Sequence, residues 1–583
     1  MKSAFFLLLL TSPVWGQAPR PSVMVDATPT TSAYQPAVAT RNDLSAVVWT
    51  DGSYGGSNTI QICLSDGRGV DWTPVVRIDG DPAAIPTAKY TSESSVQIVG
   101  DNVYVAWEDA RFGNRELFLV YSNDRGLTWS PEIWIDKGSP AGTDTVFYWE
   151  MKATDDSAGG LDHLYFLFSI TPSGFLDQDL YFLASHDGGM SFATPALYLP
   201  QGAAPGTADV YHIDMVANDQ EIYVLWQDDR FAPTVYEILF QRSLDGGATW
   251  LPADRRLNNV APGSADTANI HLSHAGPYVL AAWGDERTSG GPQDELRVAI
   301  STNRGITWGA DMLVGNYVPG VDDIDYVHSR VINGNFFVTW NDDRGGAEDV
   351  YVAQSFGPGG PFFEWAVPLG PGNDAKLVGT GEKLAVHWRD VYGAGFAASY
   401  SRDGGANWQA GFGFNDTLGP HHEGGTLRFN GDYGNFIAAW LADDLGFNNT
   451  YVGGFRPQHL VPIGGFHLGD PIYFEAHHFP QSEEGWQFAV LMSEGLGNFP
   501  LGYGDGRNTG LLDDAFLRAA LAYVPGLLSG TIGVGGSGAT PTVFWPLSLP
   551  SGHLLYLTAV SFDLSGGGVS QGALTDVFTL VMP

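Results

Sequence analysis

The chain has 583 residues, with 65 acidic and 28 basic side chains, a formal net charge of -37 and one cysteine. This negative charge excludes nucleic-acid binding through a basic surface, because the phosphate backbone would be repelled. The single cysteine, Cys63, excludes a disulfide framework and a cysteine-rich metal site. Glycine (75 residues) and aromatic residues (13%) are plentiful, whereas charged residues make up only 16%. This composition favours strands joined by tight turns over long solvated helices.

The first residues read as an export signal. Lys2 precedes an apolar run over residues 4–10, and small residues follow at Gly16 and Ala18. The run is shorter than the roughly 20 residues of a membrane-spanning helix. We therefore expect a signal peptide over residues 1–18, no transmembrane segment, and a secreted or periplasmic protein that could associate with the cell surface.

One apolar strand that ends in an aromatic anchor residue recurs along most of the chain. The anchors stand 58, 61, 58, 57, 57, 48 and 52 residues apart and are Trp49, Trp107, Phe168, Trp226, Trp283, Trp340, Trp388 and Trp440. This period, with about four short strands per unit, is typical of a β-propeller blade. A lone blade cannot bury both faces of its sheet, so the array must pack radially and close. We predict an all-β chain with an eight-bladed propeller over residues 25–463; seven blades plus an odd segment is the alternative.

A second motif, Ser-x-Asp-x-Gly-x-x-aromatic, follows the third strand of most repeats. The Asp side chain can cap turn donors, the glycine permits a positive φ, and the aromatic residue can cover the loop. Copies begin at Ser122, Ser185, Ser243, Ser301 and Ser401, and degenerate copies begin at Ser65 and Ser355. Asn303 replaces the Asp in one copy, and the eighth repeat has none.

With this motif at near-constant spacing, the chain resembles the Asp-box, or BNR-repeat, propellers of the sialidase superfamily over about three quarters of its length. The resemblance implies that the boxes lie on the face opposite the active site. It also implies action on glycans, although the superfamily includes non-catalytic members. Sialidases of this kind use a tyrosine nucleophile activated by a glutamate, an aspartate acid and three arginines. Their Arg-Ile-Pro motif is missing here, where the N-terminal strand reads Pro-Arg-Pro-Ser-Val-Met over residues 19–24.

A third element, Trp-x-Asp-x-Arg, occurs in four repeats. Its arginines are Arg111, Arg230, Arg287 and Arg344. Guanidinium groups could clamp a substrate carboxylate, but four equivalent copies around a ring cannot all act on one substrate. We expect structural ion pairs that brace the turn between the second and third strands, with at most one or two of these arginines reaching a ligand.

Function is expected where the repeat breaks, at the start of each innermost strand. The residues twelve before each anchor are Ala37, Ser95, Glu150, Asp214, His271, His328, Lys376 and Arg428, with an insertion of about six residues at 155–160 in the third blade. Those fourteen before are Gln35, Glu93, Tyr148, His212, Asn269, Tyr326, Asp374 and Thr426. Positions between them are mostly apolar or small, as in a strand with one packed face. This polar ring either solvates a water-filled channel or lines a ligand pocket.

A catalytic pocket has two sets of candidates. Glu150 and Asp214 fall on adjacent blades and could serve as the acid and the base or nucleophile of a glycoside hydrolase. The resemblance to sialidases offers Glu93 with Tyr148 or Tyr326 as the activating glutamate and the nucleophile.

The predicted substrate-binding residues share a place on the ring; they are His212, His271, His328, Lys376, Arg428, Tyr148 and Asp374. Lys376 and Arg428 could bind an anionic sugar carboxylate. The three histidines, with Asp214 beside them, offer a divalent-metal site as another possibility. Tyr326 and His328 lie two residues apart on one strand and could exchange a proton, as in uronate lyases built on propellers. We predict no cofactor and leave metal content open.

The repeat stops after Gly454. Residues 465–583 are rich in glycine, with strand-like runs at 486–492, 542–547, 554–560 and 577–582 and one short helix at 512–522. We expect a small β-rich module without a catalytic motif. Two functions of different classes stay open: a secreted sialidase-like glycosidase, and a non-catalytic propeller that binds carbohydrate or protein. Neither fixes the oligomeric state.

Overall fold

The computed structural model describes most of residues 19–455 and a set of strands beyond them. The described ranges are 19–25, 32–41, 44–54, 57–65, 72–80, 91–171, 177–288, 294–318, 321–365, 369–380, 383–390, 395–401, 404–408, 411–413, 421–430, 435–443, 448–455, 459–464, 471–477, 487–493, 529–531, 538–539, 543–544, 554–563, 570–574 and 578–581. The predicted signal peptide and the predicted helix at 512–522 lie outside these ranges. Contacts divide the chain into a unit of residues 21–454 and a second unit formed mainly by residues 455–583.

The first unit is built from β-strands throughout its described part. Its first strands are β1 Pro19–Met24, β2 Ala33–Arg41, β3 Leu44–Tyr54, β4 Ser57–Ser65, β5 Val76–Arg77, β6 Thr91–Val99, β7 Asn102–Asp109, β8 Glu116–Ser122, β9 Ile133–Trp134, β10 Thr145–Thr154, β11 His163–Thr171, β12 Asp179–Ser185, β13 Leu197–Tyr198, β14 Val210–Asn218, β15 Glu221–Asp228, β16 Glu237–Ser243 and β17 Arg255–Arg256. The rest are β18 Thr267–Ala275, β19 Tyr278–Asp285, β20 Glu295–Ser301, β21 Met312–Leu313, β22 Ile324–Ile332, β23 Asn335–Asp342, β24 Asp349–Ser355, β25 Phe363–Glu364, β26 Gly370–Pro371, β27 Asn373–Thr380, β28 Lys383–Asp390, β29 Gly395–Ser401, β30 Phe412–Gly413, β31 His421–Asn430, β32 Asn435–Asp443 and β33 Asn448–Phe455.

These strands form eight antiparallel sheets, which confirms the predicted eight-bladed propeller. Blades 1 to 7 are each made of consecutive strands, starting at β2, β6, β10, β14, β18, β22 and β27; β26 adds a fifth strand to blade 6. Blade 8 has the order β1-β33-β32-β31, so its outer strand comes from the other end of the chain. The first strands of the blades contact each other in sequence, and β31 returns to β2. They therefore surround the propeller axis.

The aromatic anchors build the core between blades. All seven anchor tryptophans are fully or almost fully buried on their second strands. Trp107 of blade 2 packs with Val48 and Ile62 of blade 1, and Trp49 of blade 1 packs with Ile437 of blade 8. Each anchor thus faces the preceding blade, which is why one aromatic residue recurs in each repeat.

The Ser-x-Asp-x-Gly motif forms a turn at the end of the third strand. In blade 2, Gly126 N donates to Ser122 Oγ (2.8 Å), and Thr128 N and Oγ1 donate to the Asp124 carboxylate at 2.8 and 2.6 Å. Arg125 N donates to Asp101 O in the hairpin between the first and second strands (3.1 Å). The motif therefore lies at the end of the blade opposite the start of its first strand.

The four arginines of the Trp-x-Asp-x-Arg element are held by carboxylates. Arg230, for example, lies 2.6 Å from Asp228 and 2.7 Å from Asp254. Arg111, Arg287 and Arg344 make the same two kinds of pair, within the turn and to an acidic residue at the fourth strand. These guanidinium groups are committed to bracing the blades.

The second unit contains two further sheets. Its strands are β34 His459–Gly464, β35 Pro471–His477, β36 Gln487–Ser493, β37 Ser529–Thr531, β38 Gly538–Ala539, β39 Val543–Phe544, β40 Leu554–Asp563, β41 Ser570–Leu574 and β42 Phe578–Val581. One sheet has the order β34-β35-β38 with β39 on β35, and the other has the order β37-β36-β40-β41 with β42 on β40. Across the described residues of both units, no helix is long and apolar enough to cross a membrane.

Candidate active site

A β-bulge interrupts the first strand of every blade near its start. In blade 1, Gln35 and Pro36 lie between the paired positions Tyr34 and Ala37. Blade 2 bulges by one residue at Glu93. Four bulge residues have a left-handed backbone: Gln35, Asn269, Tyr326 and Asp374, with φ between 47° and 56°. This conformation is unfavourable for residues other than glycine, and bulges redirect side chains. Such features often occur at functional sites. We therefore take the bulged ends of the first strands as the mouth of the propeller.

A cavity of about 360 Å³ follows the first strands of blades 1 to 3. Its lining comes from residues 35–38 of β2, 93–97 of β6 and 149–152 of β10. Two carboxyl groups line it, Glu93 and Glu150, so the structure brings together these two predicted catalytic residues. Asp214, the predicted partner of Glu150, is not among the lining residues.

The two carboxyl groups have different surroundings. Glu93 sits on the bulge of β6 with part of its surface in solvent; burial of the rest raises the pKa of its carboxyl, and the nearby Arg115 opposes this. Glu150 Oε2 lies 3.1 Å from Lys152 Nζ and accepts a hydrogen bond from Met215 N at 3.0 Å. Burial thus favours the protonated form of Glu93, whereas Lys152 and the backbone of Met215 fix the position of the Glu150 side chain.

Asp214 is buried between blades 4 and 5. It accepts a hydrogen bond from Leu272 N at 2.5 Å, and only 9% of its surface is exposed. Burial and the neighbouring Glu150 raise the pKa of its carboxyl. The predicted acid and base pair of Glu150 and Asp214 therefore does not face a common opening.

His271 and His328 have similar roles in the ring. His271 Nδ1 accepts Ser329 N (3.2 Å), and His328 Nδ1 accepts Leu377 N (3.3 Å). Burial lowers the pKa of both imidazoles well below the usual range, so both are neutral. Their rings lie 3.9 Å apart. Each therefore fastens its blade to the next one.

An aromatic cluster stands beside the cavity at the mouth. Tyr148 on the bulge of β10 makes edge contacts with Tyr211 and His212 on the bulge of β14, at 5.8 and 5.5 Å between ring centroids. Tyr211 also contacts Tyr236 at 5.3 Å and is 43% exposed. Burial and Tyr211 raise the pKa of Tyr148. His212 Nδ1 is 2.8 Å from Gln227 Oε1, so the imidazole of His212 is hydrogen-bonded to a residue of its own blade.

The remaining predicted residues lie on blades 6, 7 and 8. Tyr326 is 41% exposed on the bulge of β22, two residues from the buried His328. Lys376 Nζ pairs with Asp374 at 2.8 Å, so its charge is matched locally.

In blade 8 the position assigned to Arg428 was wrong. Arg428 pairs with Ile437, and Thr426 instead pairs with Ala439, the residue before the anchor Trp440. The bulge of β31 is longer than the others, which shifts the register by two residues. The side chain of Arg428 lies outside the described residues.

Sequence reasoning missed several cavity residues. Trp149 and Lys152 line the cavity beside Glu150, and Gln97 faces it from blade 2; Gln35, which the spacing had placed on the ring, lines it from blade 1. Lys152 could have been found from the period of two, because it shares a face of β10 with Glu150. Trp149 follows the bulge directly and pairs with Phe168, so the period of two counted from Glu150 places it on the other face of the strand.

The fold and this mouth define a closed eight-bladed propeller with a carboxylate-bearing cavity. No protein-family model matches the chain, and no curated protein is similar enough to match it. Among solved structures, it is similar to the polysaccharide lyase Uly1 at 9% identity, over 75% of this chain and 99% of that one, with a TM-score of 0.44. It is also similar to Penicillium chrysogenum α-L-arabinanase (12% identity, 69% and 100% covered, TM-score 0.34) and to Trypanosoma rangeli sialidase (11%, 95% and 88%, 0.31). Likenesses this distant transfer no activity or substrate.

Proposed function

We propose that this protein is a secreted, sialidase-like glycoside hydrolase that cleaves a glycan bound in the cavity of blades 1 to 3. The observation that carries the proposal is that two carboxyl groups of unlike environment, Glu93 and Glu150, line one cavity. Glycoside hydrolysis requires such a pair: a carboxylic acid protonates the leaving oxygen, and a carboxylate acts as base or nucleophile.

The surroundings of the two carboxyl groups support one division of the roles. Glu93 retains its proton to a higher pH than an ordinary glutamate, because burial raises its pKa; it is the general acid. Glu150 pairs with Lys152 and accepts a hydrogen bond from the backbone N–H of Met215. It activates water or attacks the sugar, while these two contacts hold its orientation.

The walls of the mouth favour a carbohydrate ligand. Trp149 lines the cavity, and the exposed ring of Tyr211 with Tyr148 extends an aromatic surface from it. Aromatic rings with a polar edge offer an apolar face to a sugar ring and a hydrogen-bonding edge to its hydroxyls. The described cavity residues include one cation, Lys152, which is already paired with Glu150. We therefore favour a neutral glycan over a polyanionic one.

The test is turnover by the purified protein on a panel of neutral and sialylated oligosaccharides. Glu93→Gln and Glu150→Gln should each lower kcat by about 10²–10⁴-fold with little change in substrate affinity. Glu348→Gln, at an exposed glutamate of blade 6, is the matched control and should leave kcat unchanged. Turnover that survives both cavity substitutions would remove the assignment.

A non-catalytic role is the second candidate. The engagement of Glu150 by Lys152 and Met215 favours it, because a carboxylate already paired twice has less freedom to react. In that case the wild-type protein would bind an oligosaccharide without cleaving it, and Tyr211→Ala would weaken binding. Calorimetry alongside product analysis separates the two functions.

A further inference from the structure

The hairpin between β10 and β11 in blade 3 is longer than the corresponding hairpin of the next blade. Residues 155–162 separate β10 from β11, whereas a two-residue turn, 219–220, separates β14 from β15. The longer hairpin is organised by Asp156, whose carboxylate accepts Ala158 N at 2.8 Å and Gly160 N at 2.9 Å. The repeat therefore breaks here, at the end of the blade opposite the mouth.

Three side chains from these two hairpins converge. His163 Nε2 lies 3.5 Å from Asp219 Oδ1 and 3.9 Å from Asp156 Oδ1, and one ligand atom from each residue lies within 4.8 Å of the others. These separations are too long for hydrogen bonds. They fit neighbouring ligands of a tetrahedral ion, which stand about 3.4 Å apart when each bond is about 2.1 Å.

The facing atoms of this cluster lack hydrogen-bond partners. The His163 side chain is only 5% exposed, yet its Nε2 has no hydrogen bond, and neither does the buried Oδ1 of Asp219. The other oxygen of Asp219 accepts the Ser157 hydroxyl, so the carboxylate is held with Oδ1 toward His163. Burying unmatched polar atoms is costly, and a shared cation would satisfy both.

His186 orients the imidazole of His163. Their Nδ1 atoms are 3.1 Å apart, so one of them must donate to the other. His186 also forms a hydrogen bond with the backbone of Gly246. Since Nδ1 of His186 faces His163, the Nε2–H of His186 is the group that can donate to the carbonyl oxygen of Gly246. Nδ1 of His186 then accepts the proton of His163 Nδ1, and the lone pair of His163 Nε2 points at the two carboxylates. An outer hydrogen bond of this kind is typical of metal-binding histidines.

We propose that Asp156, His163 and Asp219 bind one divalent metal ion of the zinc or manganese class, which joins the hairpins of blades 3 and 4. An imidazole with two carboxylates suits these ions better than Mg²⁺ or Ca²⁺, which prefer oxygen ligands alone. Three protein ligands leave a coordination position for water. The site lies at the end of the blades opposite the carboxylate cavity, so it serves stability rather than the proposed hydrolysis.

The experiment uses the full chain after treatment with a chelator and dialysis. ZnCl₂ and MnCl₂ are each titrated by calorimetry, and Tm is measured with and without the metal. We expect one ion per chain and a higher Tm with bound metal, because the site exists only in the folded state. Asp219→Asn and His163→Gln should weaken binding by at least tenfold and abolish the rise in Tm, as expected for lost ligands. Asp155→Asn, at the exposed neighbouring carboxylate, is the matched control and should bind like the wild type.

His186→Ala tests the positioning role separately. The stoichiometry should stay at one ion while the affinity falls by about 10–100-fold. The proposal is overturned if neither metal binds at one ion per chain, or if Asp219→Asn binds as tightly as Asp155→Asn. In that event the contacts of His163 with the two carboxylates, and not a metal ion, join the hairpins.

Discussion

At the scale of single residues, one position of the first strand supplies a hydrogen-bond acceptor to the next blade in blades 3 to 6. Glu150, Asp214, His271 and His328 all do so, each toward the backbone N–H that follows the same position in the neighbouring blade. Carboxylates and neutral imidazoles can both place an accepting atom within hydrogen-bond distance of this N–H group. A protonated imidazole could not accept, which agrees with the lowered pKa of His271 and His328.

Gly247, in the turn motif of blade 4, allows a prediction with a matched control. Its φ is +94°, and an added Cβ would lie 2.4 Å from Cε1 of the buried Phe182. Gly202 has φ +93° with nothing within 4 Å of an added Cβ. Gly202→Ala should therefore lower the free energy of unfolding by about 1–2 kcal/mol from backbone strain alone. Gly247→Ala should lower it by about 2–4 kcal/mol, because overpacking adds to the strain. Urea unfolding measures the loss for both variants. Equal losses would mean that the contact with Phe182 adds nothing to the backbone strain.

Asp294 predicts a dependence of stability on pH. Burial, followed by Asp323 and Glu286, raises the pKa of its carboxyl to about 7, against about 3.9 in an unfolded chain. The folded state binds the proton more tightly, so the stability from this group is full below about pH 4 and is lost as the pH rises through about 7. Asp294→Asn stays uncharged, so between pH 4 and 7 its free energy of unfolding should fall less than that of the wild type, by on the order of 1–3 kcal/mol. Parallel pH curves for the two proteins would exclude this role.

The sequence predicted which residues lie near the mouth better than it predicted what they do. Spacing from the anchors placed Glu93 and Glu150 on neighbouring first strands, because the anchor and the first strand are fixed by the same pairing. The partners of Asp214 were invisible, since they are backbone N–H groups of another blade. The register of Arg428 was missed because the length of a bulge leaves no pattern in the residues. The Asp156 insertion was visible, but its approach to Asp219 depends on how blades 3 and 4 pack.

At the scale of elements, the turns between second and third strands depend on buried ion pairs. Arg230 bridges Asp228 and Asp254, whose side chains are only 1% and 3% exposed. Arg230→Ala would leave two buried carboxylates unpaired and should lower the free energy of unfolding by about 3–5 kcal/mol. Arg125→Ala removes a pair with Asp101, a side chain that is 66% exposed, and should cost at most about 1 kcal/mol. Chemical unfolding compares the two variants; similar losses would mean that burial of the pair is unimportant.

The element order also explains why the eighth repeat lacks the turn motif. In blade 2 the motif at residues 122–129 joins the third strand to the fourth along the chain. In blade 8 the strand beside β33 is β1, so no such hairpin exists there. The absence of the motif therefore marks the blade in which the ring closes. This absence is visible in the sequence, and the strand pairing explains it.

At the scale of the whole molecule, closure joins the two ends of the propeller chain. Val25 N donates to Thr450 O at 3.0 Å next to β1. The side chain of Val25 packs in a core shared by Trp49 of blade 1 and Ile437 of blade 8. Because a propeller is stable only when every blade has two neighbours, this junction should control opening of the ring.

Cys63, the single cysteine, reports on that junction. It lies in the same closing core and is fully buried, and burial raises the pKa of its thiol, so it should react slowly with a thiol reagent in the native protein. Deleting residues 19–25 removes β1 and exposes the edge of β33. We expect this deletion to accelerate labelling of Cys63 by more than about tenfold, because local opening then precedes global unfolding. Deleting residues 1–18 alone is the control and should leave the rate unchanged. Equal labelling rates for the two truncated proteins would show that β1 does not hold the ring closed.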